Sequence, residues 1–321
     1  MSFLYNQLFV TPPLPTYSFT GQTIIITGSN VGLGLEAARH FTRLNASCIV
    51  LAVRNTTAGN EAKSSIEKST KRTNIVEVWP LDLSSYASVL SFASRCQTLP
   101  RIDVLLLNAG IVATKFSLME NHESTLTVNV ISTFLLACLL LPKLSETARE
   151  FSTKTHCTIV SSEVHGWTSF KERDEEKIFE VLDDEKKADM GDRYQLSKLL
   201  EILVVRRIAP SVSKTYPGVM LSTTNPGLCH SALGRDSGGW FLWGLKQLLA
   251  RTTEVGGRTL VAPATGGEEA HGMYFSNGVV NEGKLSAFAR SEEGAKAGDK
   301  VWGELRPVLE GVQKGVTGDL E

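Results

Sequence analysis

The feature that most constrains this chain is a repeated change of hydrophobic period. Short runs of consecutive apolar residues alternate with longer stretches whose apolar side chains recur at helical spacing. Thr23-Ile24-Ile25-Ile26-Thr27 has no polar face, as a strand covered on both sides should. From Val31 to Asn45 the apolar residues Leu33, Leu35, Ala38 and Phe41 follow helical spacing. Cys48 to Val53 reads as a second strand, Thr56 to about Thr70 as a polar helix, and Ile75 to Trp79 as a third strand. Ser84 to Gln97 reads as a helix that begins at a good capping sequence, Asp82-Leu83-Ser84-Ser85. Ile102 to Leu107, Thr158 to Val160 with its flanks, and Val219 to Ser222 supply three more strands. Apolar strands separated by helices imply parallel pairing through right-handed crossovers, so the predicted class is α/β with a doubly wound parallel sheet.

The predicted organisation is an N-terminal arm over residues 1–20 and one domain over 21–321, with no linker that would split it. A charged run from Lys171 to Lys187 interrupts the alternation and is expected to form a solvated surface insertion within about 166–192. Beyond about Gly256 the chain is rich in glycine, which predicts irregular structure at one edge and a last helix near Lys300 to Glu310.

Charge narrows the function classes. With 33 Lys and Arg against 34 Asp and Glu, the formal charge is −1. No whole-chain attraction to nucleic acid or an anionic membrane follows from that. Five cysteines (Cys48, Cys96, Cys138, Cys157 and Cys229) are spread without a CxxC pair, so no metal is expected, and buried thiols in a reducing, cytoplasmic compartment are. Met1 to Thr20 lacks a positive leading region and carries Pro12, Pro13 and Pro15, unlike a secretory signal. Ser124 to Pro142 has no charged residue over 19 positions, but Ser124, Thr125, Thr127, Asn129, Ser132 and Thr133 stud its first half. It reads as a helix packed on all sides rather than as a membrane span.

The first strand runs into Thr27-Gly28-Ser29-Asn30-Val31-Gly32-Leu33-Gly34 and then a helix. Glycines there permit a tight turn and close approach of a pyrophosphate to the helix N-terminus, so this is a candidate dinucleotide site. Twenty residues after Gly34 stands Arg54, where an NAD site would carry an acid for the ribose hydroxyl. An arginine there suits the 2′-phosphate of NADP; the alternative is an ordinary surface arginine. Tyr194-Gln195-Leu196-Ser197-Lys198 sets a phenol and an ammonium on one helix face. The cation is expected to draw the phenol toward neutral pKa and make it a general acid for a carbonyl oxygen.

Taken in order, the glycine turn, Asp82, Asn108-Ala109-Gly110, Asn129, Ser161-Ser162, Tyr194 with Lys198, and Asn225-Pro226-Gly227 resemble the short-chain dehydrogenase/reductase family in its single-domain form. The resemblance runs from Thr23 to the C-terminal helix and implies a Rossmann-type fold and NADP(H) chemistry. It implies that Ser162, rather than Ser161, polarises the substrate carbonyl and that Tyr194 donates the proton. Lys198 would hold the nicotinamide ribose, and Asn129 would position a relay water. For the cofactor it implies contacts from Gly28, Ser29, Asn30, Gly32, Leu33 and Gly34 in the turn. Arg54, Asp82, Asn108, Ala109, Gly110, Tyr194, Lys198, Pro226, Gly227 and Ser231 would supply the rest. Family members often form dimers or tetramers through the helices that carry Asn129 and Tyr194, so a homo-oligomer is expected.

Two departures stand out. Ser162 and Tyr194 lie 32 residues apart, farther than is usual in the family, because the charged insertion falls between them. Glu163 and His165 sit beside the catalytic serine and could touch substrate or serve as surface or capping groups. No GxSxG elbow is present, which argues against a Ser-His-acid hydrolase.

The expected activity is NADPH-dependent reduction of a ketone or aldehyde on a small, largely apolar substrate, with a place in secondary-metabolite biosynthesis as in similar fungal reductases. A substrate-side segment at about 226–250, with Leu228, Leu233, Trp240, Phe241, Leu242 and Trp243, is expected to wall the pocket or to form a core or interface helix. The rival readings are a dehydrogenase working in the oxidative direction and a catalytically silent NADP-binding regulator. The insertion is the candidate rim or lid.

Overall fold

The computed structural model describes residues 7, 9–230 and 250–320. Strand β1 (Thr23–Thr27) enters helix α1 (Gly32–Arg43), and β2 (Cys48–Val53) is followed by α2 (Thr56–Thr70). Next come β3 (Val76–Pro80), α3 (Tyr86–Cys96) and β4 (Val104–Leu107). A two-strand hairpin, β5 (Leu118–Met119) with β6 (His122–Glu123), leads into a π-helical turn at Leu126–Ile131 and the long α4 (Ser132–Glu150). After β7 (Thr155–Val160) lie the short α5 (Ile178–Leu182), the long α6 (Arg193–Thr215) and β8 (Val219–Asn225). The described chain ends with α7 (Thr253–Val261), β9 (Tyr274–Ser276), β10 (Val279–Val280), α8 (Ala287–Arg290) and α9 (Glu292–Val312).

The main sheet has the order β10-β9-β8-β7-β4-β1-β2-β3 and is parallel except for β10. Its two-sided burial explains the strands' composition. On β1, Ile25 faces one core while Ile24 and Ile26 face the other; on β2, Val50 and Ala52 oppose Ile49, Leu51 and Val53. A strand with a core on each face leaves few positions for a polar side chain. Asp103, just before β4, is buried and accepts from the Thr23 amide (2.8 Å) and from Arg101, tying the entry of β4 to that of β1.

The uncharged segment after residue 124 is a core helix, with α4 buried over most of its length. Its first turn is π-helical, a widening that the apolar pattern does not encode. Two expectations need correction. The glycine-rich tail is not simply irregular, because it contributes β9 and β10 to the sheet edge as well as α7. The charged insertion is not simply a solvated excursion. Phe170, Ile178, Phe179 and Leu182 are buried in the main core, and the Glu304 carboxylate of α9 accepts from the amides of Ile178 and Phe179, both at 2.8 Å. Charged side chains fill its outer face, and an apolar face of only a few residues is too short to show as periodicity.

The face through which an oligomer was expected is partly occupied. Val301, Trp302, Leu305 and Leu309 of α9 join the core formed with α6. On the other face of the sheet, Gly257 lets α7 seat against α1, since a Cβ there would lie 2.9 Å from Glu36 Cβ and 3.1 Å from Ala37 N. Gly257→Val should therefore destabilise the protein by about 1–3 kcal/mol. In urea unfolding the midpoint should fall with an unchanged slope.

His156 on β7 is buried, and burial, aided by the Lys154 cation, holds its pKa down at about 4. The unfolded chain titrates near the ordinary 6.5, so between the two values it binds more protons than the folded one. The stabilisation is full above pH 6.5 and is lost as pH falls through 4, a change of about 3 kcal/mol. Unfolding free energies measured between pH 7 and 4 should show this slope in wild type and a shallower one in His156→Gln.

Candidate active site

The parallel order puts the C-terminal ends of β1, β2, β3, β4, β7 and β8 on one rim. The strand order reverses between β1 and β4, where a crevice opens in folds of this kind. The glycine turn follows β1 at that reversal. Gly28 has φ +64° and a Cβ on it would lie 2.9 Å from Ala109 Cα, so only glycine lets the turn close on the loop after β4. Gly34 is equally confined, by Asn108 Nδ2 and the Gly28 carbonyl. Gly32 differs: at φ +62° its missing Cβ would project into open space. No side chain caps the first turn of α1, whose first turn also holds no acid. A bare helix N-terminus beside an open glycine is a cradle that fits a pyrophosphate.

Within this turn, two residues serve the protein itself. Ser29 is buried and donates to Ile26 O (2.8 Å). Asn108 donates through Nδ2 to the carbonyls of Thr27 (2.9 Å) and Gly28 (3.2 Å), while Thr27 Oγ1 accepts from the Asn108 and Ala109 amides, both at 2.9 Å. Asn108 thus fixes the turn's shape. Leu33 packs toward Gly256 of α7, and Asn30 is half-buried at the mouth of the turn. Asp82 Oδ1 accepts from the amide and hydroxyl of Ser84 (2.9 and 2.7 Å), so one carboxylate oxygen is engaged in the turn before α3. Arg54, directly after β2, is exposed and its guanidinium makes no hydrogen bond or ion pair with the described residues.

The reacting groups meet between β7 and α6. Ser161 is buried and donates to Lys198 O (2.8 Å), a structural role that leaves Ser162 as the serine beside the phenol of Tyr194. Lys198 Nζ lies 5.7 Å from the Tyr194 ring centre and donates to Val160 O (2.9 Å). Asn129, in the π-helical turn, spends its side chain on the chain: Oδ1 accepts from the Ile111 amide (2.8 Å), and Nδ2 donates to Ile111 O and Ser197 Oγ, both at 3.0 Å. Gly110 lies beside this group, with the position of an added Cβ 3.2 Å from Asn129 Oδ1 and 3.6 Å from Lys198 Nζ. The side chain of Asn129 therefore ties the loop after β4 to α6.

The electrostatics correct one expectation. The Tyr194 phenol sits above its ordinary pKa, not drawn toward neutrality: burial is the largest cause, the Lys198 cation opposes it, and the negative Glu201 adds to it. Glu201 Oε1 accepts from Lys198 Nζ at 2.7 Å in a pair almost wholly buried. Burial pushes the Lys198 ammonium down, but Glu201 and Tyr194 outweigh it and leave its pKa raised. Sequence reading missed Glu201, although its place three residues after Lys198 on the same helix was the signal. It also missed Thr27, and Gln7 of the arm, which donates to Leu228 O (2.6 Å) and accepts from the Leu228 amide (3.2 Å).

Pro226 is buried and Gly227 adopts φ +75°, its amide donating to Asn225 Oδ1 (2.9 Å). Ser231, together with Leu233, Trp240, Phe241, Leu242 and Trp243, lies outside the described residues. His165 is a buried structural group, with Nδ1 on Ser162 O (2.7 Å) and Nε2 accepting from the Ser286 amide (3.0 Å). Glu163 is half-buried, its amide on Asn225 Oδ1 (3.1 Å).

Known proteins agree with this arrangement. Residues 22–159 match the model of the short chain dehydrogenase family. A short chain dehydrogenase/reductase of Cryptosporiopsis sp. is 47% identical over 100% of both chains. A short-chain dehydrogenase of Penicillium roqueforti is 45% identical over 98% of this chain and 84% of its own. Among solved structures, the Pseudomonas aeruginosa RhlG/NADP active-site complex superposes with a TM-score of 0.62 at 18% identity, covering 84% of this chain and 99% of that one. With the fold, the glycine turn and the serine, tyrosine and lysine in place, the chain belongs to the short-chain dehydrogenase/reductase family.

Proposed function

We propose that this oxidoreductase uses NADPH to reduce a ketone or aldehyde of a small, largely apolar substrate to the alcohol. The observation that carries the reading is the meeting of Tyr194, Ser162 and Lys198 close to the glycine turn, where Tyr194 is a buried phenol whose pKa burial holds above its ordinary value. A protonated phenol is ready to give its proton to a carbonyl oxygen, whereas the oxidative direction needs it as the base. Ser162, half-buried beside the phenol, would hydrogen-bond that oxygen. The nicotinamide, when bound, supplies the hydride to the carbonyl carbon. Lys198 and the turn at Gly28, Gly32 and Gly34 would hold the cofactor. Arg54, exposed and without a partner among the described residues, supports a 2′-phosphate and hence NADPH over NADH. The bound NADP of the Pseudomonas aeruginosa structure agrees with that choice.

A cytoplasmic location belongs to the same proposal. It is supported by five free thiols, of which Cys96, Cys138 and Cys229 are pushed by burial to about 12. So does a place in fungal secondary-metabolite biosynthesis, which the fungal sources of its relatives support. Assembly into a homo-oligomer, also proposed, would need a surface beyond the part of α6 that α9 covers.

The decisive measurement is consumption of NADPH and NADH against a panel of aromatic, aliphatic and polyketide-like carbonyls. Tyr194→Phe should lower kcat by about 10²–10⁴-fold while leaving NADPH binding intact. Retention of wild-type turnover by that variant would sink the assignment of the acid. Arg54→Glu should weaken NADPH binding at least about tenfold, roughly 1.4 kcal/mol, and leave NADH little changed. An equal loss for both cofactors would remove Arg54 from the phosphate site.

A further inference from the structure

Tyr194, Lys198 and Glu201 occupy successive turns of α6 on one face, at spacings of four and three residues. Lys198 Nζ is held between Glu201 Oε1 at 2.7 Å and Val160 O at 2.9 Å, and stands 5.7 Å from the centre of the Tyr194 ring. The side chains of Lys198 and Glu201 are 5% and 2% exposed, so water screens neither charge. The second carboxylate oxygen, Oε2, has no hydrogen-bond partner among the described residues. The nearby Ser161 hydroxyl has one proton, and it is directed to Lys198 O.

Such a pair is costly to bury, and apolar residues of the same volume would fold at least as well. What a lysine alone would do beside Tyr194 is clear from charge. An unpaired ammonium would stabilise the phenolate and, being buried, would itself tend to lose its proton. A carboxylate behind the lysine offsets both effects, since it keeps the ammonium charged and opposes the phenolate. We propose that Glu201 is a positioning residue that clamps the Lys198 ammonium and, through its negative charge, keeps Tyr194 in the proton-donating form that reduction requires. The inference rests on the reading of Tyr194 as the acid.

Other groups facing this column do not supply the charge. Ser161 and Ser162 after β7, and Asn129 and Ser197, are neutral. Glu163 is engaged with Asn225, and both nitrogens of His165 are bound to backbone. On α9, Asp299 pairs with Arg207, and Glu304 accepts the amides of Ile178 and Phe179. Cys157 on β7 is a neutral thiol, raised by burial, and His156 is neutral above its low pKa.

The test is a pH titration by NMR of protein carrying ¹³Cζ-labelled tyrosine, with Tyr194→Phe identifying the resonance. In Glu201→Gln the Tyr194 signal should titrate about one pH unit or more below wild type, and Glu201→Asp, which keeps the charge, should stay near wild type. An unchanged or higher midpoint in Glu201→Gln would overturn the proposal, as would an equal shift in Glu201→Asp. If Glu201→Gln does not fold, the wild-type protein still decides through ¹³Cδ-labelled glutamate. Burial, opposed by Lys198, raises the Glu201 carboxyl to about 7, so it should carry its negative charge above that value, and a carboxyl that stays protonated through the alkaline range where Tyr194 titrates would overturn the proposal. In turnover, the alkaline limb of carbonyl reduction should move to lower pH in Glu201→Gln. The NMR result needs no substrate, so it stands apart from the fate of the reductase reading, which Tyr194→Phe turnover decides.

Discussion

The junction of Thr27 with Asn108 is the interaction on which the site depends. Parallel strands β1 and β4 separate at their C-terminal ends because the chain leaves them in opposite directions around the sheet, and separation is what opens the crevice. Something must keep the two loops in register across that gap. Thr27 Oγ1 takes the amides of Asn108 and Ala109, and Asn108 Nδ2 returns to the carbonyls of Thr27 and Gly28. Four hydrogen bonds therefore bind the start of the glycine turn to the loop after β4. Gly28 can then lie against Ala109 with no room for a Cβ.

A second constraint is that the acid–base chemistry is built from buried charge. Tyr194 and Lys198 read from sequence as a pair in which the cation activates the phenol. The fold adds burial, the largest cause of the raised Tyr194 pKa, and Glu201, whose negative charge works in the same direction against Lys198. Burial alone raises a phenol and lowers an ammonium. Burial keeps the tyrosine neutral, and the carboxylate, together with the Val160 carbonyl, keeps the lysine charged in the same dry space.

Much of the fold was legible because a sheet buried on both faces writes itself as unbroken apolar runs, and β1, β2 and β4 are such runs. The reacting residues were legible for a related reason: Tyr194 and Lys198 share a helix face, and spacing along a helix is spacing in space. Legibility fails where the partner is distant in sequence or the geometry is irregular. The engagement of Asn129 by Ile111 and Ser197 spans separations of 18 and 68 residues. The π-helical turn that presents it has no compositional signature. β9 and β10 are three and two residues long, below the length at which alternation can be read. The preference for Ser162 over Ser161 came from the resemblance, and in the fold the Ser161 hydroxyl turns back to Lys198 O.

The insertion between β7 and α6 is joined to the site by a continuous line of contacts. Asp183, at the end of α5, accepts from His122 Nδ1 and from the Glu123 amide, both at 2.7 Å. Glu123 is fully buried and accepts from the Ser124 hydroxyl and the amides of Thr125 and Leu126, which are the unpaired donors at the start of the π-helical turn. That turn carries Asn129, whose amide reaches Ser197 on the same helical face region as Tyr194. Arg193, the residue before Tyr194, lies 3.8 Å from Glu123 and is also buried. A segment that only covered a pocket would have no reason to bury Phe170, Ile178 and Leu182 or to brace the base of the turn behind Asn129. Its buried residues act as scaffold, and Trp167, 64% exposed, points outward between the buried His165 and Phe170.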